Sequence, residues 1–436
     1  MITLLHLSDI HMGSGFAHGR LNPETGLNTR LEDFIAALTR CIDRALAESV
    51  DLVLFGGDAF PDATPPPLVQ QALASQFCRL SAAGIPTVLL VGNHDQHAQG
   101  LGGASLSIYR TLGVPGVVVG DRLETHQITT RSGPVQVITL PWLTKSALLT
   151  RPETEGLSMS QVNELLLDRL RVALEGEIRR LDPDRPTILL AHAMVDTASY
   201  GAERFLATGR GFTIPMALLA RSCFDYVALG HVHRHQVLCQ QPLMIYPGSI
   251  ERVDFSEEAE AKGYLLVQVD KGQAQAEFCP LPVRPFKTIE VDLTQAEAPQ
   301  TRLEQAIAQA DIADAVVRCL YTLRTDQVDH IDQTALETAL FAAHTYSLQP
   351  ELKAQTSRSR LPELGTDSSL DPLTALGAYL ANRSDLDDIA AGMMTAAAAL
   401  MADDTAADLP LDDVDLTPED IESLALEETA QQLRLL

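Results

Sequence analysis

Short apolar segments that end abruptly in polar residues place the strongest constraint on how this chain can fold. Five of them read as buried strands, at residues 2–7, 51–55, 86–91, 187–190 and 226–229. Between the first three strands, apolar residues recur at helical spacing, over residues 31–50 and 68–83. This alternation of strand and helix predicts an α/β domain.

The elements between residue 109 and residue 285 are shorter and more often β-like. Further strands are predicted at residues 117–119, 135–140, 236–239, 243–246, 263–269 and 275–279, and one long helix at 161–181. From residue 286 the pattern changes to a compact α+β unit. Its predicted strands are 288–293, 315–323 and 346–352, and its predicted helices are 302–310 and 331–343.

The C-terminal part of the chain has a different composition. A polar stretch reads as a linker, and two short helices follow it at residues 372–381 and 385–401. The last 36 residues hold 11 acids and one arginine, which is typical of a disordered acidic tail with one helix near 417–434. The predicted segments are therefore residues 1–283, 284–353, 354–369, 370–402 and 403–436.

The net charge of −26 is spread unevenly, because residues 1–285 carry −7 and residues 286–436 carry −19. Proteins that bind nucleic acid normally present a basic face to the phosphates. Several acids of the first part are candidate metal ligands, whose charge a bound cation offsets. The charge therefore argues only weakly against a nucleic-acid substrate.

Several features place the protein in a compartment and exclude one activity. The six cysteines contain no C-x-x-C pair, which indicates free thiols in a reducing compartment. No basic region precedes an apolar core at the N-terminus, and the longest nearly apolar stretch, residues 389–402, is shorter than the ~20 residues of a membrane span. We therefore expect a cytoplasmic protein. No Gly-Lys pair occurs, so ATP hydrolysis through a Walker A motif is excluded.

Polar side chains follow the five strands at the points where they end. The set is Asp9, His11, Asp58, Asn93, His94, His192, His231 and His233. Loops at the carboxyl ends of α/β strands are where such folds place their sites. Carboxylate, amide and imidazole groups together suit Mn²⁺, Fe or Zn²⁺ better than Ca²⁺. In an extended segment residues i and i+2 face the same way, so Asp9 with His11, and His231 with His233, can converge.

Each of these groups also has an ordinary structural interpretation. A lone histidine at a strand end is more often a core or surface residue, and Gly92–Asp95 could form a tight turn. These alternatives would have to hold together, in this order, at the end of every apolar strand. Their joint occurrence favours a metal centre.

The motifs resemble the signature of the calcineurin-like metallophosphoesterases. The matching series is Asp9-Ile-His11, Gly57-Asp58, Gly92-Asn93-His94-Asp95, His192 and Gly230-His231-Val232-His233. Residues 8–13, 228–233, 246–252 and 284–286 further resemble the SbcD family, the nuclease subunits of SbcCD complexes. The resemblance covers roughly residues 1–400. It implies a four-layer α/β/β/α sandwich with a dinuclear site, followed by a small α+β DNA-capping domain.

The resemblance also assigns roles to single residues. One metal is expected on Asp9, His11, Asp58 and His233, and the other on Asp58, Asn93, His192 and His231. Asp58 would bridge two divalent ions, with Mn²⁺ the favoured metal. His94 would contact the scissile phosphate and help to protonate the leaving oxygen, and Asp95 would orient His94.

The function implied by the resemblance is that of a DNA exonuclease and structure-specific endonuclease in double-strand break repair, recombination and replication. The partner would be an SbcC-like ATPase, bound by a homodimer of nuclease subunits within a heterotetramer. The alternatives are a small-molecule or cyclic-nucleotide phosphodiesterase and a non-catalytic scaffold. The extra α+β unit and helix pair disfavour the former, and the complete set of polar groups disfavours the latter.

The two C-terminal helices are predicted to bind the ATPase. The apolar residues of the first are Leu373, Leu376, Tyr379 and Leu380, and those of the second are Leu386, Ile389, Met393, Ala397, Leu400 and Met401. Each set recurs at helical spacing and forms one stripe. Such stripes suit a groove or a coiled-coil surface.

Overall fold

The computed structural model describes residues 1–97, 103–144, 154–201, 212–353, 372–381 and 387–404. Contacts divide the chain into two compact units, Met1–Lys353 and Ala354–Leu436. The predicted linker, the acidic tail after residue 404 and the predicted helix near 417–434 lie outside the described residues, whereas residues 403 and 404, predicted to begin the tail, are helical.

Six strands form the first sheet. They are β1 (Ile2–Leu7), β2 (Leu52–Phe55), β3 (Thr87–Leu90), β4 (Val117–Gly120), β13 (Gly263–Asp270) and β14 (Gln273–Pro280). Their spatial order is β14-β13-β1-β2-β3-β4, with β1 to β4 parallel and β13 antiparallel to both of its neighbours. The strands predicted for this region are confirmed, with small differences at their ends.

The second sheet also has six strands. They are β5 (Glu124–Thr130), β6 (Gly133–Leu140), β7 (Thr187–His192), β10 (Tyr226–Gly230), β11 (Gln236–Gln240) and β12 (Leu243–Tyr246), in the order β11-β12-β10-β7-β6-β5. The short strands β8 (Met194–Val195) and β9 (Thr213–Ile214) pair separately. Strand β5 was not predicted, because it lies at the sheet edge and Ile128 is its single apolar residue.

Helices cover the outer faces of both sheets. They are α1 (Thr29–Ala47), α2 (Pro67–Ala82), α3 (Ser107–Thr111), α4 (Met159–Ile178) and α5 (Met216–Leu219). Phe34 of α1 packs in one apolar core with the first sheet, and Leu170 of α4 packs in another with the second. A third core, which includes Leu54 and Tyr226, lies between the sheets. The order helix, sheet, sheet, helix confirms the predicted four-layer α/β fold class.

A three-stranded module, residues 286–353, follows the sandwich within the same compact unit. It contains β15 (Phe286–Asp292), α6 (Pro299–Gln309), β16 (Val316–Arg324), α7 (Gln333–Ala339) and β17 (Thr345–Lys353). Its strands are parallel and enclose a core of their own with Leu303, Tyr321 and Leu336. Helix α7 is shorter than the predicted 331–343. It starts at Gln333 because the Asp332 side chain caps it by accepting from the Ala335 amide, and it ends at Ala339.

The second unit contains α8 (Pro372–Ala381) and α9 (Asp387–Asp404). Gly377 of α8 faces Met394 of α9, and Leu380 is buried. Ile389 and Leu400 of the predicted α9 stripe are 53% and 71% exposed, whereas Leu386 lies outside the described residues. Among the described residues, no helix combines the length and apolar character needed to cross a bilayer.

Candidate metal centre

The carboxyl ends of five strands carry the predicted ligands to one place. β1, β2 and β3 of the first sheet and β7 and β10 of the second end immediately before, or at, these polar residues. Within the described residues, two groups of side chains are close enough to hold a metal ion. The two groups account for six of the seven predicted ligands.

The first metal group consists of Asp9, His11 and His233. One ligand atom from each residue lies within 4.8 Å of the other two, and all three residues are buried. Nε2 of His11 lies 3.0 Å from Nε2 of His233. Two imidazole nitrogens that point at each other across this distance are well placed to share one cation.

The second metal group consists of Asp58, His192 and His231, which meet the same distance criterion and are also buried. Asn93, the seventh predicted ligand, joins them, because its Oδ1 lies 3.0 Å from His192 Nε2 and 2.9 Å from His231 Nδ1. The other ring nitrogen of His192, Nδ1, lies 2.7 Å from the carbonyl oxygen of Gly56 and fixes that ring to the first sheet.

Asp58 lies between the two groups. Its Oδ2 atom is 3.3 Å from His192 Nε2 and 3.8 Å from His11 Nε2. One carboxylate therefore reaches a member of each group, as a bridging ligand must.

The backbone at these residues is unusual. Positive φ angles occur at Asp9 (52°), His11 (45°), Asp58 (58°) and His231 (108°). The expectation that Asp9 and His11 converge through an extended segment is therefore wrong. They converge because both adopt a left-handed backbone, held by hydrogen bonds from the Asp9 amide to the Gly57 carbonyl (2.9 Å) and from the His11 amide to the Asp58 carbonyl (3.0 Å).

Gly92 is required at its position for steric reasons. A Cβ atom there would lie 2.1 Å from Oδ1 of Asp58, far inside van der Waals contact. The same Asp58 oxygen accepts a 2.8 Å hydrogen bond from the His94 amide. The absence of a side chain at residue 92 thus allows the bridging carboxylate to lie against the turn that carries Asn93 and His94.

The electrostatics differ among the histidines of the centre. Burial holds the pKa of His11 and of His231 well below the usual range, so both rings are neutral at pH 7. Burial also acts to lower the pKa of His192, but the Asp58 carboxylate outweighs it and raises that pKa to about 9. The same histidine lowers the pKa of Asp58 against the effect of burial, so the pair is charged without a cation.

These residues fit a pair of divalent cations. Carboxylate, amide and imidazole donors converge below the surface. Nδ1 of His231 faces Oδ1 of Asn93 at 2.9 Å, so Nδ1 is the nitrogen that this ring directs toward the second metal group. A divalent cation would be a common partner for these converging donor atoms.

His94 lies beside the centre. Its ring centroid is 5.0 Å from that of His11, and the residue is partly exposed. Nδ1 of His94 lies 2.8 Å from the carbonyl oxygen of Pro61 and donates to it. This contact leaves Nε2 as the nitrogen available to a substrate.

The prediction that Asp95 orients His94 is wrong, because Pro61 holds the His94 ring. The Asp95 carboxylate is buried and accepts hydrogen bonds from the amides of Asp58 (2.9 Å), Ala59 (3.0 Å) and Gly92 (2.9 Å). It therefore ties the loop that carries Asp58 to the turn that carries Asn93. Asp95 shapes the metal centre without contacting the ring of His94.

Sequence reasoning missed three residues that contact the ligands. Ser8 Oγ donates to Asp9 Oδ2 at 2.5 Å, Glu257 Oε1 lies 2.6 Å from His233 Nδ1, and the Trp142 ring lies 4.8 Å from that of His231. Ser8 could have been found from its position next to Asp9. Glu257 lies among several other acids in the sequence, and no motif marks it as a contact of a metal ligand.

Comparison with known proteins gives a consistent result. The profile of the calcineurin-like phosphoesterase family matches residues 2–235. Over 300 residues the chain is 29% identical to the uncharacterized metallophosphoesterase YhaO of Bacillus subtilis strain 168, an alignment that covers 68% of this chain and 64% of that protein. The chain thus spans less than two thirds of that relative.

Two solved structures are similar at low identity. TT1561 of Thermus thermophilus is 16% identical, with 64% of this chain and 98% of that chain covered and a TM-score of 0.36. A dimetal phosphatase from Danio rerio is 11% identical, with 63% and 98% covered and a TM-score of 0.36.

Proposed function

Because the chain belongs to the calcineurin-like phosphoesterase family, we propose that it is a two-metal DNA phosphodiesterase, the nuclease subunit of an SbcCD-like complex. Membership of the family makes it a metal-dependent phosphoester hydrolase. The observation that carries the two-metal part is the position of Asp58, whose carboxylate lies within 3.8 Å of His11 and 3.3 Å of His192.

The ligands divide between two ions. One ion would be held by Asp9, His11, His233 and Asp58, and the other by Asp58, Asn93, His192 and His231. Bound divalent cations would polarise the phosphate and neutralise the charge that builds on its oxygens. The nitrogen-rich donor set favours Mn²⁺ over Ca²⁺ or Mg²⁺.

His94 would supply the proton for the leaving oxygen. With Nδ1–H held by the Pro61 carbonyl, a protonated ring presents Nε2–H beside the first metal group. The leaving group of a DNA phosphodiester is a poor alkoxide. General acids of this kind typically contribute ~10²–10⁴-fold to the rate.

The three-stranded module supports DNA as the substrate. A cleft of about 890 Å³ runs between the loop after His11 and the module, and Arg20, Phe341 and Tyr346 line it. Phe341 is 89% exposed and Tyr346 is 41% exposed. Exposed aromatic rings beside a cation are the groups on which bases stack and phosphates pair. A small-molecule phosphodiesterase has no use for them.

The helix pair α8 and α9 supports an SbcC-like ATPase as the partner. Ile389 and Leu400 recur on one side of α9 and are largely exposed. Met393 lies on the same side and is 39% exposed. Methionine-containing apolar stripes adapt well to helical partner surfaces.

A direct assay tests the proposal. Purified full-length chain with Mn²⁺ is incubated with linear duplex, hairpin and single-stranded DNA and with bis-p-nitrophenyl phosphate, with and without the ATPase. The expected result is Mn²⁺-dependent cleavage of DNA that Asp58→Asn abolishes. Hydrolysis of the small phosphodiester with no cleavage of any DNA would overturn the choice of substrate.

A further inference from the structure

Residues 251–262, here called the strap, contact the first metal group on one side. Glu257 of the strap is 4% exposed and its Oε1 lies 2.6 Å from Nδ1 of His233. The other carboxylate oxygen accepts from the Val253 amide (3.0 Å) and from Nζ of Lys262 (2.8 Å). Lys262 is 1% exposed and also donates to the His233 carbonyl at 3.0 Å.

These contacts fix how His233 can bind a metal. Because Nδ1 donates to the Glu257 carboxylate, the lone pair lies on Nε2, which faces Nε2 of His11 at 3.0 Å. A carboxylate behind a ligating imidazole sets its tautomer, its orientation and its basicity. The Lys262 ammonium compensates the buried carboxylate and holds the His233 backbone, so the strap fixes both the ring and the main chain of this ligand.

The opposite side of the strap contacts the three-stranded module. The Phe255 ring packs against the Phe286 ring with their centroids 4.9 Å apart. The guanidinium of Arg318 lies over the Phe255 ring, 4.4 Å from its centroid. The Glu258 carboxylate accepts from the amide of Thr288 at 2.9 Å. Phe286 and Thr288 belong to β15, the first strand of the module, so the strap bonds one module element and one metal ligand at once.

The second metal group is held differently. His192 Nδ1 lies 2.7 Å from the carbonyl oxygen of Gly56, which belongs to the first sheet of the sandwich. Asn93 lies against the rings of His192 and His231. These supports come from the sandwich itself, so a shift of the module would reach the first metal group before the second.

We propose that the strap makes metal binding by Asp9, His11 and His233 depend on the docked position of the three-stranded module, with Glu257 as the positioning residue. The inference rests on the metal-binding part of the proposed function and is independent of the substrate. Whatever moves the module, such as a bound ligand in the adjacent cleft, would thereby change the affinity of one metal ion.

Equilibrium dialysis of the full-length protein against Mn²⁺ tests the side of the strap that contacts His233. Glu257→Gln should weaken one of the two bound ions by about 10- to 100-fold. Trp142 is the single tryptophan and lies against the rings of His192 and His231, so quenching of its fluorescence by Mn²⁺ reports the second metal group. The midpoint of that quenching should not move. Unchanged affinity of both ions in Glu257→Gln would overturn the proposal.

Phe255→Ala tests the side of the strap that contacts the three-stranded module, because Phe255 packs against that module and is only partly buried. It should weaken the same ion several-fold. Leu352→Ala removes apolar surface from β17 of the same module, where Leu352 is 56% exposed, and should leave both affinities at the wild-type value. Circular dichroism confirms that each variant is folded.

Two results for Phe255→Ala would contradict the coupling. One is wild-type affinity for both ions, and the other is equal weakening of both. If Glu257→Gln fails to fold, the comparison of Phe255→Ala with Leu352→Ala still decides. Because the readout is metal binding, a failure of the wild-type chain to cut DNA bears on the proposed substrate alone.

Discussion

At the scale of single residues, the metal centre is built from strained backbone. Asp9, His11, Asp58 and His231 all have positive φ, a conformation that costs of order 1–3 kcal/mol for a residue with a side chain. Strain of this kind persists only where the surroundings fix the backbone. At Asp58 the Asp95 carboxylate does so, because it binds the amides of Asp58, Ala59 and Gly92. At Asp9 and His11 the bonds to the Gly57 and Asp58 carbonyls do so.

A methyl group at residue 92 should damage the centre selectively. Gly92→Ala would place Cβ 2.1 Å from Oδ1 of Asp58, so the bridging carboxylate must move as a whole. We expect metal affinity to fall at least about tenfold and the free energy of unfolding to fall by about 1–3 kcal/mol. Mn²⁺ dialysis and urea denaturation measure the two effects.

Gly176→Ala is the matched control. Gly176 lies in helix α4 with nothing within 4 Å of its Cβ direction, and alanine is the better helix former. This variant should keep wild-type metal affinity and gain about 0.5–1 kcal/mol of stability. Wild-type metal binding by Gly92→Ala would show that the bridging geometry described here is wrong.

His94→Ala should separate catalysis from metal binding. The ring approaches the first metal group and its Nδ1 is bound to Pro61, so its loss removes a proton donor and leaves every proposed ligand in place. We expect DNA cleavage to fall by ~10²–10⁴-fold with two ions retained. His97→Ala, at an exposed site three residues along, serves as the control. Loss of metal in parallel with activity would make His94 a ligand.

The sequence predicted which side chains would meet, because each of the seven predicted ligands follows a short apolar strand. It did not predict how they converge, since the left-handed angles at Asp9 and His11 depend on bonds to Gly57 and Asp58, distant in the chain. The role predicted for Asp95, to orient His94, was wrong for the same reason. Its partners at Asp58 and Ala59 are brought near only by the completed fold.

At the scale of elements, the sandwich was predictable except for one edge strand. Strongly apolar strands such as β1 and β7 were found because their composition alone specifies burial. Edge strand β5 was missed because six of its seven residues are polar and the neighbouring β6 supplies its pairing. The start of α7 depends on a side-chain cap by Asp332, which periodicity does not report.

The exposed rings of the three-stranded module should contribute to DNA binding. Removing both in Phe341→Ala, Tyr346→Ala takes away two stacking surfaces, each worth ~1–3 kcal/mol where a base stacks. We expect the KM for duplex or single-stranded DNA to rise at least about tenfold. Hydrolysis of bis-p-nitrophenyl phosphate should stay within a factor of roughly two, because both substitutions are at the surface. An unchanged KM for DNA would place the nucleic acid elsewhere.

At the scale of the whole molecule, most of the net negative charge belongs to residues that follow the sandwich in the sequence. Residues 286–436 hold 28 acids and 9 basic residues, which keeps the net charge of the catalytic part small. We expect substrate affinity to depend on the metal centre and on the cleft lined by Arg20, Phe341 and Tyr346. The C-terminal unit is proposed to serve a protein partner, the SbcC-like ATPase.

Two exposed residues of α9 test that partner. Ile389→Asp, Leu400→Asp should abolish co-purification with the ATPase and leave the intrinsic phosphodiesterase unchanged, because both side chains are largely exposed and contribute little to folding. Ala398→Asp, an exposed position on the opposite side of the helix, should still co-purify. Retained co-purification of the double variant would move the partner site off this helix.

The proposed two-metal mechanism depends most on Asp58 joining two metal ions in one centre. Equilibrium dialysis of the full-length protein against Mn²⁺ measures this directly, with Asp58→Asn beside Asp62→Asn, the same change at an exposed carboxylate four residues along. We predict two ions for the wild type and for Asp62→Asn, and loss of affinity for both ions in Asp58→Asn. One ion or none in the wild type, or two tightly held ions in Asp58→Asn, would contradict it.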